Sequence, residues 1–479
     1  MASVETPSLP PAPVPHHPAR RVVGEVLDEN FELDAGFVDD VAAALRANDK
    51  DHVRALVRDL HYADMADLLE RLDAEDRRLL VDAIRDEFNA DILPELAAEV
   101  RDEVMDALGF EDIAVALTEL DSDDAVYVAG KLDADERNQV LARVPPDTRA
   151  LIENGLAYGE SSAGRLMQRE LVAVPNYWTV GETIDYLRSA RHMPGKFYVV
   201  FVVDPRHRPQ GVVELHRILK ARRPERMSDL VDSEDDVIRA DMDREEVAFL
   251  FRQRDLTAAP VVDKSGRLIG QITIDDVVDV IDEEAGEDIL KMAGVRAADD
   301  STTLYKTVMS TAQSRFIWLV VNLGTAFLAS SVIGIFEGSI EKLSALAVLM
   351  PICASMGGNA GTQTLATVIR SLATRELNAS NMFSVVWKEV FVGFINGLLF
   401  AFITGVFAYA WFHDILLGVV IGGAMVTNMI AAGLAGIGIP LILDKLGADP
   451  ADSAVVFLTT VTDCVGFFTF LGLATWILL

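Results

Sequence analysis

The sequence has only two cysteines, Cys353 and Cys464, in 479 residues. So few thiols give no disulfide framework and no CxxC metal site, and both read as small packing residues. Cationic side chains are scarce too: 42 Lys and Arg face 74 Asp and Glu, a formal net charge of −32. Phosphate backbones need cationic surface, which argues against nucleic acid as a partner. No secretory signal sequence is visible. The charge is divided unevenly. From Tyr305 onward there are 7 basic and 9 acidic residues, leaving 35 and 65 before it. A chain with 51% hydrophobic residues and a positive mean hydropathy therefore splits into a strongly acidic soluble half and a nearly uncharged apolar half. One soluble globule is excluded. An acidic surface suits cations, or simply keeps the domain soluble.

Residues 1–30 form a Pro-rich segment with His16 and His17 and read as a disordered tail. In the apolar half, five stretches are long enough to cross a bilayer, which takes about 20 residues per helix: 316–336, 343–369, 390–411, 415–443 and 454–479. Lys306, Arg315, Arg370, Arg375, Lys388 and Lys445 fall on one side of them, and Lys342 alone on the other. By the positive-inside rule the N-terminal half is cytosolic and Leu479 lies outside, in an inner membrane crossed several times.

Two of the stretches carry unusual residues. The second holds Pro351 and the run MGGNAGTQ at 356–363. Its glycines, Asn359 and Gln363 are expected to loosen the helix and supply oxygens toward protein or a wet cavity. Close helix packing through small residues explains Gly357 and Gly361 equally well. The fifth reads FLTTVTDCVG, placing Asp463 as the lone acid or base near the middle of any stretch. A carboxylate there costs on the order of 3 kcal/mol and needs a partner. No Lys or Arg occurs inside a stretch, so a permeating cation or proton would supply the positive charge. The alternative is a protonated Asp463 bonded to Thr459, Thr460 or Thr462. In a two-fold dimer, paired Asp463 carboxylates would suit a divalent ion.

In the soluble half, residues 38–156 show helical periodicity throughout. The segments ADMADLLERLD (63–73) and EDIAVALTELD (111–121), with a weaker copy at 124–133, suggest a small superhelical stack. Two α/β units follow. Buried-strand signals at 198–203 and 259–263 each lead into a second strand at 211–213 and 270–272, and helices at 180–189 and 244–254 precede them.

The stretch TAAPVVDKSGRLIGQITIDDVVDVI (257–281) resembles the second half of a CBS-domain pair, and 166–221 a divergent first half. CBS pairs often bind adenine nucleotides, so the resemblance implies ATP as a ligand. Gly270, Thr273 and Asp276 fit the G-x-x-[ST]-x-x-D element. The first unit departs from it, with Glu214 and Arg217 after Gly211. One site fits and a second does not. The alternative is that Thr273 caps the following helix, with Asp275 and Asp276 in its first turn.

The whole order resembles the MgtE family of magnesium channels, through MGGNAG at 356–361, T-D-x-x-G at 462–466 and ITIDDVVDVIDEEAGEDI at 272–289. The implied architecture is a multidomain membrane protein. An all-α superhelical N domain (31–165) precedes an α/β CBS pair (166–226 and 227–275). An acidic connecting helix and linker (276–315) then lead to a five-helix transmembrane domain (316–479). The resemblance implies a homodimer in membrane lipid, with one pore lined by the second and fifth helices, transporting Mg2+ and closing when internal Mg2+ is high. It places the pore carboxylate at Asp463, with Gly358, Asn359, Gln363 and Thr459 around it, and a cation position at the pore mouth at Asp449. Regulatory ligands would be Asp276, Asp279, Glu284, Glu287 and Asp288, with Asp255 and, from the N domain, Glu111. Val115 stands where a second N-domain acid is expected.

The residues themselves make such a sensor reasonable. Asp276, Asp279, Glu283 and Glu287 form one strip at helical spacing, where like charges repel. Cations bridging the strip to another acidic surface would relieve that repulsion and bias a two-state element. A solvated acidic helix is the plain alternative. Mg2+ sheds water reluctantly and is usually held by one or two carboxylates, which suits Asp463. Transport of Co2+ or Mn2+, and a sensor without permeation, are the competing functions. The stretches hold no nucleophile–base constellation, so no enzyme activity is expected.

Overall fold

The structure is a computed structural model that describes residues 26–28, 32–190, 193–231, 237–295, 308–377, 380–451 and 454–479. Apart from 26–28, the expected Pro-rich tail lies outside these residues, as does the linker stretch 296–307. The chain divides into two compact units, one reaching Val277 and the other running from Val278 through the membrane helices.

The first unit opens with ten α-helices between Ala35–Arg46 and Pro146–Leu156, among the described residues. The repeated Leu-Asp pair explains how successive helices turn. Leu72, Leu120 and Leu132 leave the helix in extended conformation and bury 93% or more of their surface. The Asp that follows is the N-cap of the next helix. Asp73 accepts from the backbone N–H groups of Glu75 and Asp76, and Asp133 from those of Asp135 and Glu136. Such caps satisfy orphan donors at the helix start and are worth about 1 kcal/mol each. Asp121, in the same position, makes no cap bond. Two buried arginines satisfy helix-end carbonyls. Arg77 donates to Leu69 O at 2.8 Å and Leu72 O at 2.9 Å, and Arg101 to Leu96 O at 3.4 Å as well as to the Tyr127 hydroxyl at 3.0 Å.

Each CBS half is a three-stranded sheet. Strands β1 (Ala173–Pro175), β2 (Val199–Val203) and β3 (Pro209–Glu214) form the first, and β4 (Ile238–Arg239), β5 (Ala258–Val262) and β6 (Leu268–Thr273) the second. In each the outer pair is parallel across a crossover helix, Val180–Ser189 or Arg244–Arg254, and the other pair is an antiparallel hairpin. All five residues of β2 and of β5 are buried, as an unbroken apolar run requires. Gly270 is needed for close approach: a Cβ there would lie 2.8 Å from Met167 Sδ and 2.9 Å from Gln168 O.

A connecting helix, Ile274–Met292, leads out of the second sheet. Five helices are long and apolar enough to span a membrane: span 1, Thr311–Ile335; span 2, Ala345–Ala373; span 3, Met382–Phe412; span 4, Ile415–Lys445; span 5, Ala454–Leu478. The protein is therefore a multi-pass membrane protein. Span 4 is the most enclosed, and spans 1 and 3 turn large apolar side chains such as Phe327 and Phe402 outward. The MGGNAGTQ run does not loosen its helix, which is continuous from Ala345 to Ala373. Its glycines serve packing instead. A Cβ at Gly357 would lie 2.2 Å from Asn428 Nδ2 of span 4, and one at Gly361 2.8 Å from Leu458 Cδ1 of span 5.

Candidate functional site

Asp463 stands nine residues into span 5, about 14 Å along the axis at ~1.5 Å per residue. Its side chain is half-buried, and among the described residues no hydrogen bond or ion pair holds its carboxylate. The threonines that could neutralise it bond along their own helix. Thr460 Oγ1 donates to Val456 O at 2.7 Å, Thr462 Oγ1 to Thr459 O at 3.0 Å, and Thr459 Oγ1 to Val456 O at 3.0 Å. Gly358 faces this stretch: a Cβ there would lie 3.9 Å from Thr459 Cγ2 and from Thr462 Oγ1. Asn359 is exposed, and Gln363 lines a cleft on another face of span 2.

Sequence reasoning missed two polar groups in this unit. Asn428 is fully buried in span 4. Its Nδ2 donates to Cys353 O at 2.9 Å, its Oδ1 has no partner, and Gly357 and Gly466 make room for it. The signal was available, since Asn428 is the lone amide in an apolar run. Second, the helix of span 3 is longer than the apolar stretch read from the sequence, and an acid lies on the added part. Span 3 begins at Met382, eight residues before the apolar stretch, and so contains Lys388 and Glu389. Glu389 Oε2 accepts from Thr364 Oγ1 of span 2 at 3.0 Å.

At the other end of spans 2 and 5, Met292 packs with Leu365, Ile369, Ala451, Ala454 and Leu458. Next to Met292, the Lys291 ammonium lies between two residues expected to hold a metal, 2.6 Å from Glu287 Oε1 and 2.6 Å from Asp449 Oδ2. Burial opposes the charge on Lys291, but its bonds to Asp449 and Glu287 outweigh burial and raise its pKa above the usual lysine value. Burial and the Asp449 charge raise the pKa of Asp288 beside them. A protein cation thus sits between Glu287 and Asp449, where a metal was expected.

In the first unit, Thr273 and Asp276 bond to each other. Thr273 Oγ1 donates to Asp276 Oδ2 at 2.8 Å and Thr273 N at 3.3 Å, which caps the connecting helix. The Asp276 carboxylate lies close enough to Asp123, at the start of N-domain helix Ser122–Lys131, for their charges to interact. Asp123 Oδ1 is buried without a partner. Burial, with the neighbouring carboxylates, raises the pKa of Asp123 well above its ordinary value. The same causes lift Asp124 to about 7. Asp276 rises to about 6, mainly through burial, although its Thr273 bond opposes the rise. Asp121, with no cap bond to satisfy, adjoins them, its pKa raised by burial and Glu170. The N-domain acids beside Asp276 are thus Asp123 and Asp124. Glu111 is exposed on helix Phe110–Glu119 near the exposed Val115, and Asp255 is exposed at a left-handed helix end with φ 51°. Asp279 is exposed and Glu284 half-buried on the connecting helix. Among the described residues, no three His, Cys, Asp or Glu side chains converge as a metal site.

Sequence profiles of known families match in the same order as these parts. The profile of MgtE divalent cation transporters matches residues 350–473, that of the MgtE intracellular N domain 60–161, and that of the CBS domain 163–224 and 227–283. The magnesium transporter MgtE of Thermus thermophilus is 35% identical over 370 residues, covering 77% of this chain and 79% of the relative. That of Bacillus subtilis is 29% identical over 367 residues, covering 75% and 79%. A crystal structure of the cytosolic domain of the Mg2+ channel MgtE in complex with ATP is similar over 51% of this chain and 99% of its own, with 31% identity and a TM-score of 0.48. The Thermus relative, 35% identical over most of both chains, shows that the chain belongs to the MgtE family of divalent cation transporters.

Proposed function

We propose that this protein is a regulated Mg2+ channel, a homodimer that admits Mg2+ passively and closes when internal Mg2+ is high. The observation that carries the reading is Asp463, a carboxylate inside span 5 with no protein partner among the described residues. An ionisable group at such depth is by default functional, and a permeating cation would balance it. Two copies of Asp463 facing across an axis would give a hydrated Mg2+ two carboxylates while it keeps most of its water. The N-terminal half lies in the cytosol and Leu479 outside, as the basic loops require.

Closure works through the connecting helix. Asp276 and the Asp123–Asp124 pair bring acids of the CBS pair and the N domain together, and the buried, unpartnered Asp123 Oδ1 is an acceptor a cation can use. Asp279, Glu284, Glu287 and Asp288 extend the acidic strip toward the spans, and Glu111 and Asp255 are outlying ligands. Bound Mg2+ draws the acidic surfaces together, and its loss releases them. The Lys291 ammonium pins the far end of the helix to Asp449 at the pore mouth. Binding of ATP at Thr273 and Asp276 would require both to leave the helix cap, so Asp276 serves the metal reading better.

The test is Mg2+ influx into sealed vesicles containing the full chain. Influx that persists in Asp463→Ala, with the protein in the membrane, would refute the pore. A chain that binds Mg2+ without any influx would make it a sensor alone.

A further inference from the structure

Span 3 carries a carboxylate that the Asp463 pathway does not use. Glu389 stands seven residues after Met382, about 10 Å along the axis at ~1.5 Å per residue. The 31-residue helix overruns the ~30 Å apolar core of a bilayer, so Glu389 falls near one edge of that core. Among the described residues it accepts one hydrogen bond, from Thr364 Oγ1 at 3.0 Å, and forms no ion pair. Lys388, next to it in sequence, is exposed and does not line the same space.

That space is a cleft of about 140 Å3 among spans 2, 3 and 4, into which Gln363, Thr364, Thr367 and Asn396 also open. It is roomy enough for several waters. Two glycines close one side by letting spans 3 and 4 cross tightly. A Cβ at Gly393 would lie 2.7 Å from Met429 O, and one at Gly433 3.1 Å from Glu389 O. Every polar group around the cleft offers oxygen, and none brings a positive charge. At 3.6 residues per turn, Gln363 and Thr367 lie on the side of span 2 away from Gly358 and Gly361, which face span 5.

We propose that this cleft is a second cation site, separate from Asp463. It takes a divalent hard cation with part of its water shell, Glu389 being the charged ligand and Gln363, Thr367 and Asn396 meeting the waters. Oxygen-only donors and room for water select the Mg2+ and Mn2+ class over softer metals. An ion there also ties span 2 to span 3 through one carboxylate. The proposal rests on the reading of the chain as a divalent cation transporter, but its test is scored at a different residue.

Crystals of the full chain are soaked in Mn2+, and the anomalous signal is read at Glu389 and Asp463 separately. The expected result is a peak beside Glu389 that excess Mg2+ displaces and Glu389→Gln removes, a substitution that keeps the side chain's shape and its acceptor for Thr364. No peak at Glu389, or one unchanged in Glu389→Gln, overturns the proposal, whatever appears at Asp463. A peak at Glu389 alone supports the cleft while counting against the pore reading. If Glu389→Gln fails to fold, Asn396→Ala is expected to weaken the peak, and an undiminished peak overturns the proposal.

Discussion

The two halves handle negative charge in opposite ways. In the soluble half acids are abundant and mostly used locally. Asp73 and Asp133 cap helices, Asp82 pairs with Lys50, and Asp76 with Arg46. Where acids collect, at Asp123, Asp124 and Asp276, burial raises their pKa values. In the membrane half the acids are few, and Asp463 stands without a partner among the described residues. A crowd of carboxylates can share protons or bind ions reversibly, which suits sensing. A lone carboxylate in an apolar helix favours a cation beside it, which suits conduction.

The largest effect that would break this division is at Asp463. Asp463→Ala is expected to abolish Mg2+-dependent growth rescue in cells lacking other Mg2+ uptake, while the protein still reaches the membrane. Rescue at the wild-type level would mean that the lone charge does not conduct. Next in size is the crowd itself. Asp276→Asn, Asp279→Asn and Glu284→Gln combined are expected to leave currents open at millimolar internal Mg2+, and wild-type closure in that variant would remove the sensor. A smaller effect sharpens which N-domain acid takes part. Asp123→Asn is expected to raise the internal Mg2+ needed for half-closure by about tenfold, a typical cost of losing one contact near a metal. Glu111→Gln, at an exposed position, is expected to shift it far less. An equal shift in both would restore Glu111 as the partner.

The smallest effect is a pH dependence. The raised pKa values of Asp124, about 7, and Asp276, about 6, mean that the folded form keeps protons that the unfolded form releases near pH 4. Without divalent ions, thermal stability of the detergent-solubilised chain is therefore expected to fall as pH rises from about 4 to about 7 and then to level off. Mg2+ added at pH 8 is expected to restore part of it. Stability rising over that interval would contradict the buried, proton-sharing cluster.

Much of this was legible in the sequence because the strongest patterns are long. Helices Val180–Ser189 and Arg244–Arg254 fall where periodicity placed them, and each of the five apolar stretches falls on a span, overrunning it by at most two residues. Strands β1 and β4 were not found, because three and two residues are too short to show an alternation. Asp123 and Asp124 read as ordinary polar positions of a weak repeat, since nothing local marks them as buried. Their environment comes from Asp276, more than 150 positions away. Glu389 was overlooked because the apolar stretch was counted from the residue after it, whereas a membrane helix extends past its hydrophobic part. The glycine run was half understood: its small size was evident, but only the position of Asn428 shows what it makes room for.

The central claim is that the soluble crowd senses the ion that the lone carboxylate conducts. Patch-clamp recording of the reconstituted full chain, with internal Mg2+ varied, tests it most directly. The account predicts Mg2+ currents at low internal Mg2+ that close as it reaches the millimolar range. Currents whose open probability ignores internal Mg2+ would contradict it.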